Sequence, residues 1–329
     1  MRFLFSIFLV FASIVGAQAQ CDSGEKIIRL GSFANSDHLP RDKGVALFQD
    51  AVNRELQGKA CVEIILSETR FHGTIGISAL QNGEVQMLTP SFATLGQFVS
   101  SYQVFDLPFA FQNLSAVTKF QAITGNDFIT ALSVNGLQPL AFWHGNFKQI
   151  SGKKPVYLPV DVAGLKFRTD DGASFGKQVS ALSSTAQPIA ENDLTIAVKS
   201  GKVDMQITNW ARLEQDGTGN IFSGVSETNH GFVGYQMLAS KIWWADLDTP
   251  LRKSLSEIIG RVSRQLNFET ASRVRRSKQN LMRAGVVVRA LTRHQRKAWR
   301  AQMQGVWSSY NNGSHKVFVD ALAVANSGL

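Results

Sequence analysis

Apolar residues recur along this chain with two periods that alternate in a regular order. Residues 27–31 (IIRLG) make an apolar run of strand length, after which Val45, Phe48, Val52 and Leu56 return at helical spacing and Gly58 closes the pattern. A strand at 62–66 (VEIIL), a short helix at 74–82 and a third strand at 85–88 follow. Strand, helix, strand in this order predicts a parallel, doubly wound unit.

The order then repeats, with a strand at 165–168, a helix at 174–183 that places Phe175, Val179 and Leu182 on one face, a strand at 186–189, a helix at 192–200 and a strand at 203–206. The letters echo as well. ALQNGEVQML at 79–88 and AVKSGKVDMQ at 197–206 share a helix end, a glycine at the helix C-terminus and the strand that follows. Two similar α/β lobes are predicted, and in open sheets of this kind ligands gather at the carboxyl ends of the strands. Arg168, the ITNW run after 206 and the TPSF run after 88 all fall at such ends. From Thr249 to Gly285 runs the longest helical pattern, striped by Leu251, Leu255, Ile258, Val262, Leu266 and Val274. At 1.5 Å per residue it extends about 50 Å, enough to cross both lobes as a strut. A strand at 286–289 and a closing helix at 292–310 complete the pattern, with Trp299 and Trp307 assigned to packing.

The start of the chain belongs to a different class of signal. Arg2, the apolar run Phe3 to Val15 and the small-x-small triplet Ala17-Gln18-Ala19 describe a secretory signal peptide over residues 1–19. A bacterial periplasm is the expected address. Gln20, in front of Cys21, argues against a lipidation site. The two cysteines, Cys21 and Cys61, can form a disulfide in an oxidising compartment or remain two thiols, and the sequence leaves both open. No metal-ligand spacing surrounds them, and no cofactor is expected.

The net charge of +9 is concentrated. Residues 251–300 hold fourteen Lys or Arg against Glu257 and Glu269, an excess of twelve, so the rest of the chain is slightly acidic. A solvated helix face is the plain reading of that segment and a docking surface for an anionic partner the alternative. Export removes nucleic acid as a partner.

Four segments in order, VFDLPFAF (104–111), KKPVYLPVDVAGLKFRT (153–169), SGKVDMQITNW (200–210) and the long helix followed by LMRAGVVV (281–288), resemble the DctP-like solute-binding subunits of tripartite ATP-independent periplasmic (TRAP) transporters. The resemblance covers about residues 27 to 310. It implies an α/β, two-lobed periplasmic binding protein fold of type II-like form, divided as 20–143 with 233–270 in lobe I and 144–232 with 271–329 in lobe II. It implies further a monomer that closes on a small organic acid and hands it to a permease of a small and a large membrane subunit.

The resemblance also places site residues. The family's arginine in the GLKxR segment pairs with the ligand carboxylate, and Arg168 stands there; a guanidinium meets a carboxylate with two parallel hydrogen bonds that lysine cannot reproduce. An ion pair with Asp170 or Asp171 is the structural alternative. Lys148 stands where the family often has a second arginine. Where the family commonly reads VDGQENxW this chain reads VDMQITNW, so Thr208 aligns with the family's asparagine and Asn209 is displaced by one, which on an extended backbone reverses side-chain direction. Trp210 keeps its position and either stacks on the ligand or packs in the core; Trp143 and His144 carry the same choice at the lobe crossover. From lobe I, Ser91, Phe92 and His72 are candidates for closing the other side, with the N–H groups of helix 74–82 favouring an anion. Phe33, Asn35 and His38, which follow the first strand, are further candidates, and Tyr235 either reaches the cleft or takes a core or hinge role.

An enzyme is the first rival class. The six histidines (38, 72, 144, 230, 294 and 315) show no His-Glu-x-x-His spacing, and no Walker loop is present. A periplasmic sensor or scaffold that presents ligand to a receptor is the second rival, and its binding physics is the same.

Overall fold

Each lobe is a helix-covered sheet built around the same three parallel strands. A computed structural model describes residues 21–32, 39–67, 69–169, 173–189, 193–308, 310 and 315–327. The expected signal peptide, Phe33, Asn35, His38, Asp170 and Asp171 lie outside them. In the first lobe come β1 (Lys26–Ser32), α1 (Pro40–Glu55), β2 (Ala60–Leu66), α2 (Gly73–Gln81), β3 (Met87–Leu88), α3 (Phe92–Phe98), a 3-10 turn at Ser100–Asp106, α4 (Leu114–Ser133) and β4 (Leu137–Phe147). The chain crosses to the second lobe through β5 (Gln149–Gly152), β6 (Lys166–Thr169), α5 (Ala173–Ala181), β7 (Thr185–Pro188), α6 (Leu194–Lys199), β8 (Met205–Thr208), α7 (Trp210–Gln215) and β9 (Gly224–Glu227). It returns through β10 (Phe232–Ser240), α8 (Lys241–Asp246) and α9 (Thr249–Arg283), and ends with β11 (Val287–Ala290), α10 (Arg293–Gln302), α11 (Gly305–Ser308) and α12 (Lys316–Asn326).

The first sheet has the order β2-β1-β3-β10-β4 and the second β11-β9-β5-β8-β6-β7. Within them β2-β1-β3 and β7-β6-β8 are parallel triplets of the same chain order. The repeat seen in the letters has a backbone cause: Gly83 and Gly201 both take positive φ, 77° and 69°. The residue after each then bonds back to the helix, Glu84 N–H to the Ala79 carbonyl and Lys202 N–H to that of Ala197. That helix-ending bond, with glycine in the left-handed conformation, aims the next strand along the sheet. The sheets are nevertheless mixed, because β10 runs antiparallel to β3 and β4, and β5 antiparallel to β8 and β9. These crossover strands carry the chain between lobes at Lys148 and at 228–231. There Lys148 N–H donates to the Gly231 carbonyl and His230 N–H to that of Lys148.

Helix α9 is the third connection. Asp248 caps it by accepting from Leu251 N–H at 2.8 Å, and its 35 residues would extend about 52 Å. Leu255, Ile258, Val262 and Leu266 bury in the core of the first lobe, whereas Leu281 packs with Trp210 and Val225 in the second. The tail differs from the sequence reading in two ways. The closing helix expected at 292–310 is broken between α10 and α11. Residues 271–329 were expected in the second lobe; Trp299 of α10 and Met303 just after it do pack there, but Phe318 and Leu322 of α12 lie in the core of the first lobe. Cys21 and Cys61 are joined in a disulfide that ties the segment before β1 to β2.

Candidate functional site

A cavity of about 790 Å³ lies between the lobes, its wall assembled from strand ends and helix starts of both. The first lobe contributes Arg41 from the first turn of α1, His72 to Ile75 at the start of α2, Thr89 to Ser91 after β3, and Thr94 and Gln97 of α3. The second contributes Arg168 and Thr169 at the end of β6, and Thr208, Asn209 and Arg212 where β8 gives way to α7. Tyr235 of β10 and Lys148 line it at the crossover.

Arg168 is 7% exposed. Alternation along β6 sends Phe167 into the apolar core of the second lobe and turns Arg168 to the other side, where its Nε donates to the Ile189 carbonyl at 3.1 Å. That bond holds the guanidinium by one edge. Arg41 reaches the wall because Pro40 starts α1 and puts it within the first turn; its Nε donates to Asp42 Oδ1 at 2.6 Å, and both side chains are buried. Burial pushes the Asp42 carboxyl above its ordinary pKa, against the opposing pull of Arg41 and, more weakly, Arg212. The Tyr235 phenol is likewise raised by burial, with Arg41 pulling it down, and the Arg41 guanidinium lies 5.9 Å from the Tyr235 ring centre. Arg212 comes from the opposite lobe, ion-paired with Asp216 at 2.9 Å one turn along α7. Arginines of both lobes therefore act on the same Asp42 and Tyr235 where the lobes meet.

Of the residues singled out in the sequence, Arg168, Lys148, Thr208, Asn209, Ser91 and His72 lie on the cavity wall. Lys148 is engaged there as an ion pair, its Nζ 2.6 Å from Asp106 Oδ1 with both side chains largely buried. Asn209 caps α7, its Oδ1 accepting from Arg212 N–H at 3.0 Å, so the displaced asparagine fixes the start of the helix that carries Arg212. Ser91 caps α3 in the same way, accepting from Thr94 N–H.

Phe92, Trp143 and Trp210 are off the wall. Phe92 stacks on Phe105 at 4.2 Å between centroids inside the aromatic core of the first lobe. Trp143 is fully buried against α9, its Nε1 donating to Ser263 Oγ at 2.8 Å. Trp210 packs among Leu213, Val225 and Leu281, with Lys278 Nζ 5.4 Å above its ring. For Trp143 and Trp210 the packing alternative prevails, and Phe92 packs as well: Phe92 and Trp210 are the first residues of α3 and α7, and Trp143 lies inside β4 on the face that α9 covers. His144 is also buried, its Nε2 2.9 Å from Gln121 Oε1 on the far side of β4.

Sequence reading missed Arg41, Arg212, Thr94 and Gln97; Tyr235, for which it left the cleft open beside a core or hinge role, is buried in the core of the first lobe and also lines the cavity. A charged residue in an early helix turn reads as a solvated face. The signals that could have raised Arg41 and Arg212 are their positions just after Leu39-Pro40 and after the Asn209 cap, both at helix starts that follow strand-end loops.

With this geometry in view, the likenesses to known proteins agree. The model for bacterial extracellular solute-binding proteins, family 7, matches residues 30–313. The C4-dicarboxylate-binding periplasmic protein DctP of Vibrio cholerae is 31% identical over 324 residues, covering 97% of this chain and 98% of that protein. A TRAP periplasmic solute-binding protein of Pseudomonas aeruginosa, solved with bound L-malate, is 28% identical with a TM-score of 0.79, over 87% of this chain and 100% of that one. For the fold alone, a TRAP periplasmic solute-binding protein of Shewanella oneidensis with bound succinate superimposes at a TM-score of 0.84 and 24% identity, over 92% of this chain and 100% of that one. The chain therefore has the two-lobed fold of these binding proteins, and it belongs to the bacterial extracellular solute-binding proteins, family 7.

Proposed function

We propose that this protein captures a small organic acid between its lobes in the periplasm and, as a monomer, delivers it to a TRAP-type permease of one small and one large membrane subunit. The observation that carries the reading is Arg168, a buried guanidinium held at a strand end on the wall of an interlobe cavity. In a recess of low polarity a guanidinium favours an anionic guest far more than in water, and its fork matches a carboxylate. Thr208 and Asn209 from the second lobe and Ser91 and His72 from the first are the polar groups assigned to the rest of the guest; Lys148 supports the wall through Asp106. Closure follows by selection, since only the shut form makes contacts from both lobes. The acids to try first are succinate and L-malate, given what the relatives are named for or hold. Calorimetric titration of the exported chain tests the reading: saturable binding of at least one carboxylate is expected, and no heat with any of a broad panel of organic acids contradicts it.

The proposal includes the absence of catalysis. One catalytic letter pattern does occur, Gly172-Ala173-Ser174-Phe175-Gly176, which spells Gly-x-Ser-x-Gly at the junction of β6 and α5. Ser174 falls in the first turn of α5, and the pattern is read as the start of that helix. Hydrolysis of a p-nitrophenyl ester should proceed at the buffer rate; hydrolysis abolished by Ser174→Ala would overturn that part of the reading.

A further inference from the structure

The outward face of α9 is a predominantly cationic stripe. At 100° per residue, Lys253, Arg264, Phe268, Arg275, Met282 and Arg283 fall within about 60° of one direction, and all six are exposed. The opposite side carries the buried Leu255, Ile258, Val262 and Leu266. From Lys253 to Arg283 the stripe is about 45 Å long, and it runs over both lobes with the helix. Among the described residues, Lys253, Arg264, Arg275 and Arg283 make no ion pair, while Arg261 on the same stripe is held by Glu55. The stripe's own acid is Glu257 alone. Phe268 stands at its middle, 88% exposed, beside a groove of about 590 Å³ between α4 and α9 that Arg264 also lines.

A helix face that only has to be soluble gains from mixed charge, because acid and base one turn apart stabilise each other and a like-charge row does not. Nor does solubility call for a phenylalanine and a methionine in that row. Long cationic side chains along a line, with aromatic and thioether groups projecting between them, match a flat anionic boundary: guanidinium groups reach phosphates while their stems and the ring enter the apolar edge. The ring projects from the surface, where a protein partner would have to supply a pocket to receive it.

We propose that the outer face of α9 docks on an anionic phospholipid membrane, with Arg264 and Arg275 on headgroup phosphates and Phe268 at the headgroup–acyl boundary. This inference is independent of what the cleft binds. Co-sedimentation of the exported chain with vesicles tests it, using phosphatidylcholine alone and phosphatidylcholine with one third phosphatidylglycerol. Binding to the anionic vesicles alone is expected, and it should weaken as salt rises. Arg264→Gln with Arg275→Gln should lower partitioning about 30-fold and Phe268→Ala about fivefold, with unchanged circular dichroism. Equal binding to both vesicle types, or partitioning indifferent to the double substitution, overturns the proposal. So does retention on immobilised polyglutamate without vesicle binding, which would assign the face to an acidic protein.

Discussion

Replacing Arg168 perturbs the proposed capture step at its centre. In the Arg168→Ala protein a carboxylate entering the shut cavity would be desolvated without its partner, and breaking a buried pair in this way costs about 3 to 5 kcal/mol. At 1.4 kcal/mol per decade that is a loss of roughly 150-fold to 5,000-fold in affinity. Arg168→Lys separates charge from shape. It keeps a cation but loses the two-pronged geometry and the anchoring of Nε on the Ile189 carbonyl, so one charge-assisted bond of about 1.5 to 3 kcal/mol is forfeited, and affinity should fall roughly 10-fold to 150-fold. The assay is calorimetric titration with whichever acid saturates the unaltered protein, beside a thermal melt, because loss of the Ile189 contact also touches the fold. An alanine variant that melts normally and binds with unaltered affinity would refute the assignment.

Trp143→Phe should cost about 1 kcal/mol of stability in urea denaturation through the lost Ser263 bond while leaving ligand affinity unchanged; a large affinity loss would return Trp143 to the binding surface. Reduction of Cys21–Cys61, which closes a loop with a sequence separation of 40, should lower stability by about 4 kcal/mol, read from urea midpoints with and without reductant. His144 and His230 are held neutral by burial, their pKa values lowered to about 4 and about 3. The unfolded chain takes up protons near pH 6.5 and the native protein does not. Stability should therefore be full above about pH 6.5 and fall below it, by up to about 1.4 kcal/mol per pH unit for each histidine, until the native groups protonate. Substituting glutamine at both positions should flatten urea midpoints between pH 6.5 and 4; an unchanged slope would contradict the assignment.

Much of this architecture was legible because local periodicity and chain order determine it. The strand and helix at 79–88 and 197–206 were readable from letters because the same left-handed glycine, Gly83 or Gly201, performs the same turn in each lobe. What local pattern could not give was direction and partner. The antiparallel placement of β10 and β5 depends on crossover geometry far apart in sequence. The return of α12 to the first lobe depends on where Phe318 finds a core. The candidate cleft divides the same way. Arg168 was readable from its place at a strand end, whereas Arg41 and Arg212 meet around Asp42 and Tyr235 only when two lobes are assembled. The rings of Trp143 and Trp210 were ambiguous because one residue of rotation decides between cavity and core.

A crystal structure of the exported chain grown with a saturating acid, succinate or L-malate first, addresses the central claim directly. Electron density for the guest inside the interlobe cavity, one carboxylate within hydrogen-bonding distance of two Arg168 nitrogens and the lobes shut around it, is the predicted result. Guest density elsewhere on the molecule, or in the cavity with Arg168 directed away from it, would contradict the account.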